Sequence, residues 1–211
     1  MGGGCLVRRV CSVWMALLAV CICACMCAGE SGVQAATVVL DAGHGGHDPG
    51  GIPGQRYSEK EAALRIAQLV QKRLKVRGHR VLMTRSSDEF VELSRRVAIA
   101  NSAPANTLFV SIHLNSAPNR DAHGIETYHF DERSRRLAEA IHARVLKVTG
   151  EEDRFVRRAR FYVLRYNRRP AVLAELGFLT NPAEGARIAR SGAYREKLAG
   201  AVADGILSVA R

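Results

Sequence analysis

Short apolar runs alternate with helical patterns of apolar residues along most of this chain. The runs at residues 37–40 and 108–112 are typical of buried strands, whereas Leu64, Ala67 and Leu74 recur at the spacing of one helix face. Such alternation of strands and helices predicts an α/β domain. The expected strands cover residues 37–40, 80–84, 108–112, 124–130, 161–165 and 171–176.

The expected helices have start and stop signals of their own. Ser58 and Glu61 have the spacing of a capping box, and Gly78 provides a residue that can end the helix with a positive φ. Asn181-Pro182 marks the start of a short helix, because proline is tolerated at the first helical position. Together the patterns predict a three-layer α/β/α sandwich around a six-stranded sheet, mostly parallel or mixed. The expected helices cover residues 58–77, 91–103, 134–148, a short piece from 181 and 193–209.

The N-terminal segment differs from the rest of the chain. Arg8 and Arg9 precede an uncharged stretch at 10–28, and small residues follow at 33–35, which is the pattern of a secretory signal peptide. We therefore expect residues 1–35 to be a signal peptide and 36–211 to be one domain, exported to the periplasm or cell envelope. An uncleaved membrane anchor and a lipidated cysteine at 22–25 are the alternatives.

All six cysteines lie in that N-terminal segment. The domain after it therefore has no disulfide and no thiol nucleophile. Its charge is strongly basic, since the first 35 residues carry two arginines and one glutamate and the net charge falls only from +11 to +10 without them. Such a charge predicts an acidic partner, which could be a nucleic acid, an anionic membrane face or an acidic wall polymer.

Two histidines stand out because each follows an apolar strand pattern. His44 lies in VVLDAGHGG and His113 lies in LFVSIHLN, at the points where predicted strands end. In open α/β sheets, ligands and reacting groups collect at the carboxyl ends of the strands. Two imidazoles and one carboxylate are a common ligand set of catalytic zinc, and a second carboxylate often serves as general base. The pattern therefore predicts that the chain is a metal-dependent hydrolase.

Three glutamates are candidates for those carboxylates. Glu59 and Glu61 both fall in the first turn of a predicted helix, where the helix dipole also favours acids, so spacing alone does not choose between them. Glu175 lies in PAVLAELGF, where apolar surroundings would raise the pKa of a carboxyl toward the range of a general base. A dinucleotide loop is disfavoured, because Asp48 stands where its third glycine is required.

The order of these motifs resembles one enzyme family. The segments VVLDAGHGGHDPG, SEKEAAL, TLFVSIHLNSA and FYVLRYNRRPAVLAELGFLTNP are similar to the successive motifs of the zinc-dependent N-acetylmuramoyl-L-alanine amidases of the amidase-3 type. The resemblance spans nearly all of residues 37–210 and implies an α/β/α fold. It implies that His44, Glu59 and His113 bind Zn²⁺ and that Glu175 is the catalytic glutamate, which selects Glu59 over Glu61.

The resemblance also implies a partner and a mode of control. The substrate would be peptidoglycan, with no nucleic acid bound, and we expect a monomer.

Asp41 and Asn115 lie close to the proposed ligands in sequence and are candidates to support the imidazoles. Only 61 residues separate His113 from Glu175, so we expect no inserted helix over the site and activity without an activator.

Other functions remain open at this stage. A zinc peptidase that cuts within the stem peptide and a wall-binding protein without catalysis are the main alternatives, and a nucleic-acid binder is a third. Seven arginines fall between Arg154 and Arg169 and fit a solvated basic face, a nucleic-acid surface or a grip on stem-peptide carboxylates. We expect one or two of them to bind such carboxylates. Relatives tend to have glycine after the arginine at position 154, where this chain has Phe155.

Overall fold

The structure, a computed structural model, describes residues 35–210. Within these residues six strands form one sheet and six helices cover it. The strands are β1 (Thr37–Ala42), β2 (Arg80–Met83), β3 (Leu108–Asn115), β4 (Ile125–His129), β5 (Asp153–Arg158) and β6 (Ala171–Phe178). The helices are α1 (Glu59–Val76), α2 (Leu93–Ser102), α3 (Glu132–Thr149), α4 (Tyr162–Arg165), α5 (Pro182–Arg190) and α6 (Gly192–Leu207).

The sheet is mixed, with the spatial order β2-β1-β3-β6-β4-β5. β1 pairs in parallel with β2 and β3, and β3 pairs in parallel with β6. β4 runs antiparallel to β6, and β5 runs parallel to β4. The carboxyl ends of β1, β3 and β6 therefore meet at one edge of the sheet. The predicted α/β class and the six-stranded mixed sheet are confirmed.

Side chains alternate between the two faces of the sheet and fill two separate cores. On β1, Val38 and Leu40 face the larger core, while Val39 faces the smaller one. The larger core packs under α1, α3 and α6, and the smaller core packs under α2 and α4. Because side chains in a strand repeat every two residues, Asp41 and Ser111 share the face of the smaller core. His113 and Glu175 share that face as well, so the candidate site lies there.

One predicted strand is wrong. Instead of a strand over 161–165, the segment forms the single helical turn α4 (Tyr162–Arg165), which buries Val163 and Leu164 in the smaller core. The sixth strand is instead β5, which the sequence patterns missed. β5 lies at the edge of the sheet and leaves most of its side chains exposed. An edge strand buries little, so the charged segment DRFVRR shows no apolar pattern.

Two predicted helix starts have different outcomes. Ser58 is the residue before α1, but its hydroxyl makes no cap hydrogen bond and is buried without a partner in the part of the chain that the structure describes. The carbonyl oxygen of Pro49 instead accepts hydrogen bonds from the first two amides of α1. Asn181 caps α5 as its position suggested, and its side chain accepts hydrogen bonds from the Ala183 and Glu184 amides.

The signal peptide and its alternatives, predicted for residues 1–35, fall almost entirely outside the described residues and stay predictions. Among residues 35–210, no helix has both the length and the apolar character needed to cross a bilayer.

Candidate active site

His44 lies in a tight turn just past β1. Its φ is +59°, which is rare for a residue with a side chain, and Gly45 and Gly46 follow with positive φ angles as well. Gly43 is required for a different reason, because a Cβ there would lie 2.3 Å from the His113 ring. The glycines on both sides of His44 thus let its imidazole approach the one from β3.

Glu59 joins the two histidines. Its Oε1 atom lies 3.1 Å from His44 Nε2 and 2.9 Å from His113 Nδ1, and it accepts a hydrogen bond from the Leu114 amide. Glu59 is the first residue of α1 and is 3% exposed. One ligand atom from each of the three side chains lies within 4.8 Å of the others. The structure therefore brings together three residues that could hold a metal ion.

Each member of this group changes the pKa of the others. Burial alone would raise the pKa of Glu59, but hydrogen bonds from His113 and His44 outweigh it and lower the pKa to about 2. Burial alone would lower the pKa of His113, but the contact and charge of Glu59 raise it to about 9. The cluster therefore holds a carboxylate beside two imidazoles as one coupled unit.

Two buried arginines hold the turn that carries His44. Arg96, on α2, donates to Asp41 Oδ1 and to the carbonyl oxygens of Ala42 and His44. Arg85, past β2, donates to the carbonyl oxygens of Ala42 and Gly43. Their side chains are almost inaccessible, so each guanidinium satisfies several backbone acceptors at once. The sequence patterns missed both residues.

Asp41 and Asn115, the predicted supports of the imidazoles, bind other groups in this structure. Asp41 accepts hydrogen bonds from Thr84, Ser111 and Arg96. Burial alone would raise the pKa of Asp41, but the Arg96 charge and these hydrogen bonds lower it. The Nδ1 atom of His44 instead lies 2.8 Å from Asp48 Oδ2.

Asn115 belongs to a separate polar network on β4. Its amide donates to Glu126 Oε2, as does the hydroxyl of Tyr128, while Arg154 Nε donates to Glu126 Oε1. Glu126 is thus a buried carboxylate with three donors. It lies opposite Glu175 in the antiparallel pairing of β4 with β6.

Glu175 lies between this network and the histidines. It pairs in register with His113 across β3 and β6, on the same face of the sheet. Its Oε2 atom is buried and has no hydrogen-bond partner among the described residues. Burial, together with the nearby carboxylates Glu59 and Glu126, raises the pKa of Glu175 to about 7 against the opposing charge of His113. This side chain can therefore exchange a proton near neutral pH.

A cavity of about 510 Å³ opens over this edge of the sheet. His44, His113 and Glu175 line it together with aliphatic residues and with three aromatic ones, Phe90, Phe161 and Tyr162. A second cavity, of about 560 Å³, is formed by the loop from Asp48 to Ser58 and also includes His44. The candidate site is thus accessible from two sides.

The arginine cluster between Arg154 and Arg169 is partly structural. Arg154 binds Glu126, and Arg157 Nε donates to the Arg154 carbonyl oxygen. Arg158 Nε donates to the carbonyl oxygen of Phe130, and Arg169 donates to the carbonyl oxygens of Asn101 and Ala103. These contacts hold β5 and the segment before β6 in place. A grip on stem-peptide carboxylates stays a prediction.

The end of β6 rests on a buried acid that the sequence patterns also missed. Glu184, 1% exposed, accepts hydrogen bonds from the amides of Phe178 and Gly124. Burial raises the pKa of Glu184 to about 7 despite these donors. The folded protein therefore holds the proton of this group more tightly than the unfolded chain, whose glutamate pKa is about 4.3.

This difference predicts a pH-dependent stability. The stabilising effect of neutral Glu184 is fully present below about pH 4 and is lost as pH rises toward 7. The unfolding free energy of the parent should fall between pH 5 and 7.5. That of Glu184→Gln should fall by about 2 kcal/mol less over the same range. Urea unfolding of parent and variant at both pH values measures it. Equal losses in the two proteins would contradict the assignment.

The fold and the site together define a class of protein. A mixed six-stranded α/β/α domain carries a His-Glu-His group and a half-buried glutamate at the carboxyl ends of its central strands, which is the arrangement of a hydrolytic enzyme with a candidate metal centre. Comparison with known proteins then gives the family. The N-acetylmuramoyl-L-alanine amidase family matches residues 38–208, and the chain belongs to it.

Individual relatives agree with this assignment. The chain is 40% identical to the uncharacterized protein YqiI of Bacillus subtilis, over 82% of this chain and 84% of that protein. It is 38% identical to the N-acetylmuramoyl-L-alanine amidase LytC of the same organism, over 83% of this chain but only 36% of LytC. The catalytic domain of the amidase CwlV from Bacillus (Paenibacillus) polymyxa superposes with a TM-score of 0.78 at 38% identity, covering 82% of this chain and 97% of that domain.

Proposed function

We propose that this protein is a zinc-dependent peptidoglycan hydrolase that cleaves the amide bond between N-acetylmuramic acid and the L-alanine of the stem peptide. His44, Glu59 and His113 would hold Zn²⁺, and Glu175 would serve as general base and acid. The observation that carries this proposal is the meeting of these four side chains, from distant parts of the chain, at one end of the sheet.

The donor set fits zinc. Two imidazole nitrogens and one carboxylate oxygen are a ligand set of catalytic zinc sites, which keep a further position open. His44 Nδ1 contacts Asp48 Oδ2, and a second contact of this kind is common in zinc-binding histidines because it fixes the orientation of the ring. The imidazoles must be neutral to bind a metal, so zinc affinity should fall with falling pH.

The residues of the chain then supply the remaining chemistry. When bound, Zn²⁺ would polarise the amide carbonyl and make water a stronger nucleophile. Glu175 would accept the proton of the attacking water at its carboxylate and donate a proton to the departing amine of L-alanine. Its position opposite His113, an Oε2 atom without a partner among residues 35–210, and a pKa near 7 support both steps. Arg85 and Arg96 would keep the His44 turn in place.

The biological setting follows from the substrate. Peptidoglycan lies outside the cytoplasmic membrane, in agreement with the exported, periplasmic or cell-envelope location predicted from the N-terminus. There the enzyme would act in cell-wall remodelling or daughter-cell separation, as a monomer and without nucleic acid. The two helices between His113 and Glu175 are α3, which packs on the opposite core, and the short α4. We therefore expect activity without an activator.

Product identification combined with metal removal tests this function. We expect the purified protein to release intact stem peptides with a free L-alanine amino group from cell wall, as measured by mass spectrometry. Chelation should lower the rate at least about 100-fold, and added Zn²⁺ should restore it. Fragments cut within the stem peptide would instead indicate a peptidase, and release that survives chelation would contradict the zinc site.

A further inference from the structure

The two cavities beside the candidate metal site are lined by different segments of the chain. Both include His44 and Asp48, so they meet at the reacting centre. The cavity over α4 has aromatic walls, among them Phe161 and Tyr162. The other is formed by the glycine-rich loop from Asp48 to Ser58. The amide bond of the proposed substrate also joins two unlike parts, a glycan strand and a peptide.

The aromatic wall continues beyond the cavity. Phe161, Tyr162 and Tyr166 are 42%, 41% and 49% exposed and lie close together in the chain. The rings of Tyr162 and Tyr166 lie 4.6 Å apart, and the ring of Phe161 meets the edge of Tyr128 at 5.1 Å. We call these three exposed residues the aromatic platform.

The backbone holds the platform in a fixed position. The Phe161 carbonyl oxygen accepts hydrogen bonds from the amides of Leu164 and Arg165 and so begins the turn of α4. Val163 and Leu164 anchor that turn in the smaller core. The apolar residues of FYVLRY are thus divided, with the aliphatic ones inside and the aromatic ones outside. The exposed aromatic rings are therefore available to contact a ligand beside the cavity.

Exposed aromatic faces suit sugar rings. One face of a pyranose presents polarised C–H groups, which pack on the negative face of an aromatic ring. The loop from Asp48 to Ser58 offers polar backbone and side-chain groups to a peptide, among them the buried hydroxyl of Ser58, which has no hydrogen-bond partner among the described residues. Sugar and peptide therefore each match one side of the reacting centre.

We propose that Phe161, Tyr162 and Tyr166 bind the glycan strand of the substrate, while the stem peptide of the bound substrate lies along the loop from Asp48 to Ser58. This inference rests on the proposed function and adds to it the orientation of the substrate in the site. Since the platform extends past the cavity to Tyr166, it would contact more than one sugar. The protein should therefore prefer substrates whose glycan is longer than a single residue.

Two matched substrates test the platform. One is the pentapeptide attached to the disaccharide of N-acetylglucosamine and N-acetylmuramic acid, and the other is D-lactoyl-pentapeptide, which keeps the scissile amide but lacks sugar. For the zinc-loaded double variant Phe161→Ala/Tyr162→Ala, we expect kcat/KM to fall roughly tenfold or more on the disaccharide substrate. On the lactoyl substrate we expect less than about a twofold change.

Three comparisons make the result decisive. Tyr162→Phe keeps the ring and should retain the disaccharide preference, and Val76→Ala, at an 80% exposed site on α1, should change neither rate. Equal losses of the double variant on both substrates, or a loss on neither, would overturn the proposal. Calorimetry with peptide-free glycan strands decides it without catalysis, since the parent should bind them and the double variant should not. Failure of the proposed function would appear separately, as cleavage of another bond by the parent.

Discussion

Glu175→Gln should lower kcat about 10³-fold without lowering zinc content, because positioned acid–base groups contribute roughly 10²- to 10⁴-fold to hydrolysis. Glutamine fills the same space but cannot accept the proton of water. The fold should tolerate the change, since Glu175 Oε2 has no partner among the described residues and no hydrogen bond of that atom is lost. Steady-state rates on the disaccharide-pentapeptide, with zinc measured in the same samples, test this expectation.

Glu126 provides a comparison on the neighbouring strand. It lies opposite Glu175, but three donors occupy its carboxylate, so Glu126→Gln should disturb stability more than chemistry. We expect a rate loss of less than about tenfold and a lower unfolding temperature. Equal rate losses for the two variants, or a Glu175→Gln protein that has lost its zinc, would show that Glu175 is not the general base.

The central strands were predictable because they are buried on both faces. β1, β3 and β6 consist of nearly continuous apolar residues, which the sequence displays directly. β5 was not predictable in the same way, because an edge strand in contact with one neighbour keeps charged side chains. The segment FYVLRY was misleading for the opposite reason. Its apolar residues serve a single helical turn and an exposed surface.

The candidate site was predictable in part. His44 and His113 followed from their positions after apolar runs, although β3 continues two residues past His113. Glu59 and Glu61 could not be separated from spacing, since they are the same residue type in one helical turn. Packing separates them, because Glu59 contacts His113 while Glu61 is exposed.

The supporting residues were not predictable. Arg85 and Arg96 bind backbone carbonyl oxygens of the His44 turn, and no sequence pattern marks such acceptors. Arginine is also among the residues most often found on the surface, so its burial is visible only in the folded structure. In the sequence Asp48 only argues against a dinucleotide loop, whereas in the structure its carboxylate contacts Nδ1 of His44.

Glu59→Gln should remove the zinc site while Glu61→Gln, two residues along the same helix, should leave it intact. Glu59 Oε1 contacts both imidazoles, so a neutral amide in its place loses the charge that a divalent ion requires. We expect zinc affinity to fall by more than about 100-fold, beyond the usual effect of removing a group that only supports a ligand. Activity should be lost with it.

Unfolding with and without zinc separates this effect from damage to the fold. A ligand at 100 times its dissociation constant stabilises the folded state by about 2.7 kcal/mol, so zinc should raise the unfolding temperature of the parent and of Glu61→Gln. The Glu59→Gln protein should start less stable, because its buried side chain accepts three contacts, and zinc should not raise its unfolding temperature. If zinc stabilised Glu59→Gln as much as the parent, Glu59 would not be a zinc ligand, and the metal would have to bind at another place.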